Sequence, residues 1–224
     1  MPEPTLEDYL SQLRTHPAAD VRRNAAWVLG RQRDPRILPA LLSAVKDSDE
    51  AVRLRVAEAL GSWRDDSVVP ALQTLIQDSD ADVRTMAAQS IGQGAHHSGL
   101  EALFAAVNDP ESDVRVAALE ALGKLADPSA AEVLSTALID EDSLIRFQAL
   151  QSFLALPPDA AQSALLSLLP TVAAESPQLA SLIETLGRIG AASALPVLAQ
   201  FATHQYDDVQ DAAEWAMEQI KNRG

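Results

Sequence analysis

The segment DVRRNAAWVLG, which begins at Asp20, returns in related form at a fixed interval along the chain. Its arginine recurs every 31 residues, at Arg22, Arg53, Arg84, Arg115 and Arg146. Two further columns keep this spacing: a glycine column (Gly30, Gly61, Gly92, Gly123) and an aspartate column (Asp47, Asp78, Asp109, Asp140). A fixed period of this length is typical of a solenoid, in which each unit buries its apolar face only against its neighbours.

Each period contains two helical patterns. In RILPALLSAVKD, the apolar residues Leu38, Leu41, Leu42 and Val45 follow the spacing of one helix face. An acidic turn follows, and a second helix then runs to the glycine column, where we expect it to end. The fold class is therefore all-α. The composition agrees, because the 47% hydrophobic content comes largely from Ala and Leu, which are strong helix formers, and only 4% of residues are aromatic.

About seven helix pairs can be counted, and we expect them to form a single α-solenoid domain over residues 1–224. The sixth pair departs from the pattern, because Gln178 and Leu179 replace the Val–Arg pair. In the aspartate column, His16 stands in the first pair and His204 in the last. The predicted pairs span 4–31, 36–63, 68–94, 98–125, 130–155, 159–189 and 192–221.

The succession of aspartate, turn and Val–Arg–x–x–Ala–Ala–x–Ala–Leu–Gly resembles the short HEAT-like repeats named after the phycobilisome lyases. The resemblance covers essentially the whole chain. It implies a right-handed α-solenoid with first helices on the convex side and second helices lining the concave side. It implies no particular reaction, because such arrays serve many roles.

The resemblance also implies a role for the repeated charges, since HEAT-like repeats carry an Asp–Arg ladder near their inter-helix turns. An arginine can bridge a neighbour's carboxylate and the open carbonyls of a turn. A site for one ligand has no need to recur at equal intervals. We therefore expect a structural ladder made of Arg22, Arg53, Arg84, Arg115, Arg146, Asp47, Asp78, Asp109 and Asp140.

Positions that do not repeat are the candidates for binding. In the second helices they combine apolar anchors with Arg, Gln and Glu, and Trp and Arg are enriched at binding hot spots. For some of them, such as Leu54, packing between neighbouring helices is the alternative. The predicted partner-binding residues of the concave face are Arg23, Asn24, Trp27, Arg31, Leu54, Arg55, Glu58, Met86, Gln89, Glu120, Phe147 and Gln151.

Composition excludes several kinds of site. The chain has no cysteine, so it has no disulfide and no Cys-ligated metal. Adjacent His96 and His97 lack a third ligand at suitable spacing, so we expect no metal site. Neither a Gly-rich phosphate loop nor a serine-nucleophile elbow occurs, so we expect no catalytic residue.

Charge and hydropathy limit the class of partner that we expect and the compartment in which we expect the protein. A net charge of −15 argues against nucleic acid, which binds basic faces. No apolar run is long enough to span a membrane, and MPEPTLEDYL lacks the features of a signal peptide. The sequence therefore predicts a cytoplasmic protein.

These observations favour a non-catalytic scaffold that binds a protein partner without a cofactor, as a monomer or within a heteromeric complex. An alternative comes from RRNAAWVLGRQRD, which is similar to the first repeat of phycobilin lyase subunits and phycobilisome-degradation proteins. That resemblance implies a bilin tetrapyrrole held in the concavity, by a lyase-like or other phycobilisome-associated protein. HEAT-like DNA glycosylases share the scaffold, but they need a basic groove.

Overall fold

A computed structural model describes residues 4–190 and 192–223. Within these ranges the chain forms fourteen α-helices and no strand. The helices follow one another as seven pairs, which confirms the predicted all-α class of HEAT-like helix pairs. No helix within residues 4–190 and 192–223 combines the length and the hydropathy that a membrane span requires.

The chain divides into two compact units, Met1–Leu125 and Ala126–Gly224. The helices of the first unit are α1 (Leu6–Thr15), α2 (Ala19–Gly30), α3 (Ile37–Ala44), α4 (Glu50–Leu60), α5 (Val69–Leu75), α6 (Ala81–Gly94), α7 (Leu100–Ala106) and α8 (Ser112–Leu125). Those of the second unit are α9 (Ala131–Ala137), α10 (Ser143–Phe153), α11 (Pro158–Leu168), α12 (Leu179–Ile189), α13 (Leu195–Phe201) and α14 (Asp207–Lys221).

Equivalent helices of successive pairs pack on one another. In the first unit, α2 contacts α4, α4 contacts α6, α6 contacts α8, and the first helices α1 and α3 also meet. In the second unit, α9 contacts α11 and α12 contacts α14. Within each unit, the pairs therefore complete their cores with residues from an adjacent pair, as expected of a repeat array.

The acidic turns explain where the second helices begin. Asp49 accepts a hydrogen bond from the Val52 N–H at 3.1 Å, and Asp80 accepts one from Val83 at the same distance. A carboxylate at this position satisfies an open N–H and interacts favourably with the helix dipole. The turn composition thus determines the start of each of these helices.

The leucine column of the first helices forms the centre of the core. These side chains are fully buried. A second buried column lies on the second helices, one position before the glycines. The two columns are Leu41, Leu72, Leu103 and Leu134, and Leu29, Leu60, Ile91 and Leu122.

The glycine column does not end every second helix, so the expectation of helix ends at these glycines was wrong, although the predicted pairs 68–94 and 98–125 extend past them. Helix α6 continues to Gly94 and α8 to Leu125, two residues beyond Gly92 and Gly123 respectively. A Cβ atom on Gly92 would lie 2.7 Å from the Cα of Ala121, which belongs to the next second helix. Glycine is needed here because two helices approach closely, not because the backbone must turn.

Candidate functional site

Three of the repeated arginines form two-point ion pairs with the aspartate 25 positions later. The Nε–Oδ2 distances are 2.6–2.8 Å and the Nη2–Oδ1 distances 2.7–2.9 Å. All the side chains involved are largely buried, with about 13% exposure for each arginine. The pairs are Arg22 with Asp47, Arg53 with Asp78, and Arg84 with Asp109.

All five repeated arginines, including the two outside these ion pairs, also hold the turn that precedes their own helix. In every repeat with an arginine, Nη1 donates to the main-chain carbonyl six residues earlier, at 2.8–2.9 Å. Arg115 contacts Asp109 in this way, and Arg146 contacts Asp140. One planar side chain with donors on two edges can therefore join two successive inter-helix turns.

The ion pairs shift the ionisation of the aspartates. Burial acts to raise the pKa of Asp78, but hydrogen bonds from Arg53 and the Asp80 N–H hold that pKa below its ordinary value. For Asp109, the hydrogen bonds from Arg84 are the largest cause, and they likewise lower the pKa. These carboxylates are therefore stabilised in the charged form that the arginines require.

Histidine replaces aspartate at the two ends of the column without loss of the turn. The Nδ1 atom of His16 accepts the Ala18 N–H at 3.2 Å, and that of His204 accepts the Tyr206 N–H at 3.4 Å. Asp78 uses its carboxylate for the equivalent bond to the Asp80 N–H, at 3.0 Å. An imidazole can shape the turn but offers no two-point acceptor to an arginine.

The predicted partner-binding residues lie on second helices, except for Arg31, which directly follows α2. None of them is buried. The exposed ones are Arg23, Asn24, Trp27, Arg31, Glu58, Phe147 and Gln151, and the half-buried ones are Leu54, Arg55, Met86, Gln89 and Glu120.

In the first unit, α2 and α4 bring several of these side chains together around Trp27. Arg23, Trp27 and Arg31 are spaced four residues apart and share one helix face. The Arg31 guanidinium lies 4.4 Å from the centroid of the Trp27 ring, in a cation–π contact. Arg55, on α4, pairs with Glu58 at 2.6 Å and lines two shallow clefts that Trp27 also lines.

In the second unit, α10 carries the predicted residues Phe147 and Gln151. Phe147 is 60% exposed, and Leu144 on the same helix is 51% exposed. Phe147 and Leu150 line a cleft together with Pro177 and residues of α12. This unit therefore has an exposed apolar surface of its own.

Sequence reasoning missed the environment of His96. Its side chain is only 1% exposed, and its Nδ1 lies 3.0 Å from Oδ1 of Asp66. This hydrogen bond is the largest cause that lowers the pKa of Asp66. The position of Asp66, 30 residues earlier, is the only sequence signal for the contact. Within 4–190 and 192–223, no group of three His, Asp or Glu side chains is placed to hold a metal ion.

A model of the HEAT-repeat family matches the chain in two overlapping segments, residues 6–92 and 72–154. A search of curated proteins finds no significant match. Among solved structures, the complex of CpcE and CpcF of phycocyanin lyase from Nostoc sp. PCC7120 is similar, with a TM-score of 0.62 and 22% identity. That alignment covers 98% of this chain and 96% of the other.

Two further structures show the same fold. The Escherichia coli protein YibA aligns with a TM-score of 0.61 at 19% identity, over 96% of this chain and 82% of its own. An engineered protein aligns with a TM-score of 0.56 at 21% identity, over 96% of this chain and 68% of its own. At these identities the similarity concerns the fold alone.

Proposed function

Because the chain belongs to the HEAT-repeat family, we propose that it is a non-catalytic scaffold that binds a protein partner through the exposed side chains of its second helices. The resemblance to HEAT-like repeats assigns this face to the concave side. We place the scaffold in the cytoplasm, as a monomer or as one chain of a heteromeric complex. In the same proposal, the Arg–Asp ladder is structural.

The exposure of Trp27 is the observation that carries this proposal. The ring is 43% exposed, although its neighbours Ala25, Ala26 and Leu29 on α2 are completely buried. The core of the repeat is therefore complete without it. A large exposed aromatic side chain among arginines has the composition of a binding hot spot.

Affinity purification tests this proposal when it compares matched variants. The test variants are Trp27→Ala in the first unit and Phe147→Ala in the second. Leu42→Ala is the control, because Leu42 is an exposed apolar side chain on the first helix α3. Captured proteins are identified by mass spectrometry, and binding is then measured with the purified partner.

We expect Trp27→Ala to weaken partner binding by about 10-fold or more, as for other hot-spot residues, while Leu42→Ala binds like the wild type. Circular dichroism controls for the integrity of the fold. Equal affinity of the wild type and both test variants would exclude the second helices as the binding face.

A bilin-handling role is the second candidate. It is supported by the similarity to the CpcE and CpcF complex of phycocyanin lyase, together with a Trp ring next to arginines that could hold propionate groups. The test is to mix the purified protein with phycocyanobilin. A shift of the bilin absorption that is lost in Trp27→Ala favours this role, whereas an unchanged spectrum favours the protein scaffold.

A further inference from the structure

Positive charge is concentrated at the start of this acidic chain. Residues 1–64 contain ten of the 17 Lys and Arg residues but only nine of the 32 Asp and Glu residues. Residues 65–224 therefore carry seven cations against 23 acidic side chains. An acidic partner would be repelled by most of the chain and attracted only by a local group of arginines.

Four of the nine arginines in this segment form ion pairs in the part of the chain that the structure describes, whereas Arg23 and Arg31, which share the helix face of Trp27, do not. Arg22 and Arg53 belong to the ladder, and Arg36 pairs with Asp34 and Glu7. Within the described residues, neither Arg23 nor Arg31 forms an ion pair. Their guanidinium groups are thus available to an anionic ligand, on the two sides of one exposed tryptophan.

The residues around Trp27 form an open recess. A cleft of about 330 Å³ is lined by Arg23, Asn24, Trp27 and Arg55, and a smaller one by Trp27, Arg31, Arg55 and Glu58 among others. The Trp27 ring belongs to both clefts. Glu58 occupies one side of Arg55, so Arg23 and Arg31 are the principal cations of the recess.

We propose that this group, the Trp27 cluster of Arg23, Trp27, Arg31 and Arg55, binds an acidic segment of the partner protein. This inference rests on the proposed scaffold function and specifies the chemistry of its partner. The segment would place an apolar side chain on the Trp27 ring and flanking Asp or Glu carboxylates on the guanidinium groups.

Two physical features fit this ligand. An arginine guanidinium matches a carboxylate with two parallel hydrogen bonds, and it is weakly hydrated compared with a lysine ammonium group. Stacking on Trp27 already orients Arg31, so less conformational entropy is lost when a carboxylate binds.

The shape of the recess disfavours a tetrapyrrole. Small-ligand sites bury most of the ligand surface within a concave pocket. Trp27 instead lies in an open surface and remains 43% exposed. A chain segment that runs across the surface needs no enclosing walls, because neighbouring residues of the partner cover the remaining area.

Fluorescence anisotropy tests the inference with a fluorescein-labelled peptide in which a leucine lies between two pairs of glutamates. Matched peptides carry glutamine or lysine in place of glutamate. We expect the glutamate peptide to bind at least about 10-fold more tightly than the other two, and to bind more weakly as salt is added.

The protein variant Arg23→Gln/Arg31→Gln is expected to weaken binding of the glutamate peptide by about 10-fold or more. Lys46→Gln is the control, because it removes an exposed cation of the same unit just after α3. Equal binding of all three peptides, no binding of any, or unchanged binding by the arginine variant would each overturn the inference.

Two further measurements separate this inference from the proposed function. If the purified partner binds Arg23→Gln/Arg31→Gln as tightly as the wild type but is released by Trp27→Ala, the acidic-segment inference is wrong and the scaffold function stands. If no protein partner depends on the second helices, the scaffold function itself is wrong. Sedimentation shows whether the chain self-associates. If it does, and if the arginine substitutions abolish the self-association, the cluster binds a second copy of the chain and the inference is overturned.

Discussion

Arg53 and Asp78 form a two-point ion pair between successive helix pairs, with Nε–Oδ2 and Nη2–Oδ1 distances of 2.6 and 2.8 Å. Arg53 also donates to the carbonyl of Asp47, in the turn before its own helix, at 2.8 Å. Asp78 in turn accepts the N–H of Asp80 at 3.0 Å. The two residues thus connect the turns of adjacent repeats, and their removal should affect stability before it affects recognition.

Substitution Arg84→Ala should destabilise the protein by about 2–3 kcal/mol, because it leaves the largely buried Asp109 carboxylate and the Asp78 carbonyl without their charged donor. Urea unfolding followed by circular dichroism measures the change. Exposed Arg64 is the control, and Arg64→Ala should change stability by less than about 0.5 kcal/mol. Unchanged stability of Arg84→Ala combined with lost partner binding would contradict the structural assignment.

The contribution of Asp78 to the free energy of unfolding should depend on pH. Its pKa is lowered in the folded state, so its stabilising effect is fully present above the unfolded pKa of about 3.9. That stabilising effect is lost as the pH falls through the pKa of Asp78 in the folded protein. The stability difference between the wild type and Asp78→Asn should therefore be constant from about pH 5 to 7 and shrink below about pH 4.

Chemical denaturation at a series of pH values measures this difference. Glu101→Gln, which alters an exposed carboxylate on α7, serves as the control and should stay within about 0.5 kcal/mol of the wild type throughout. If the stability difference between the wild type and Asp78→Asn grows as the pH falls, then folding does not lower the pKa of Asp78.

Gly92→Ala should destabilise the protein by about 1–3 kcal/mol, although alanine is the better helix former by about 1 kcal/mol. The added Cβ would meet the backbone of Ala121, which cannot move aside as a flexible side chain could. Thermal unfolding measures the effect, and Gln93→Ala at the adjacent exposed position is the control. A stabilised Gly92→Ala variant would mean that α6 and α8 can separate at little cost.

Ala95→Gly should stabilise the protein by about 0.5 kcal/mol, because the strain relieved exceeds the entropic cost of glycine. Ala95 caps α6 in the left-handed conformation, with φ 58° and ψ 42°, where an L side chain is strained and glycine is not. The same substitution in the last turn of a helix should have the opposite sign, so Ala105→Gly on α7 should cost about 0.5 kcal/mol. Equal losses in the two variants would show that Ala95 is not strained.

His96 illustrates what sequence could not predict. Two adjacent histidines in a short polar segment have the composition of a loop. The structure buries His96 against Gly94 and Asp66. Burial here depends on a contact across 30 residues, and neither composition nor helical periodicity reports such a contact.

The site was predictable in part. Arg23, Trp27 and Arg31 lie four residues apart, so their shared face follows from the helical pattern alone. Arg55 comes from the following pair, and its position beside Trp27 depends on how α2 and α4 pack. Glu58, another predicted binding residue, lies three positions after Arg55 on α4, so their ion pair also follows from helix spacing.

The sequence by itself determined the helical class and the seven pairs, because apolar spacing, acidic turns and repeated columns are local signals. Tertiary structure alone decided why Gly92 is a glycine and that Arg55 lies beside Trp27. Each of these depends on distances between helices of successive pairs. Such distances are set by the packing of many side chains together, and no single stretch of the sequence contains them.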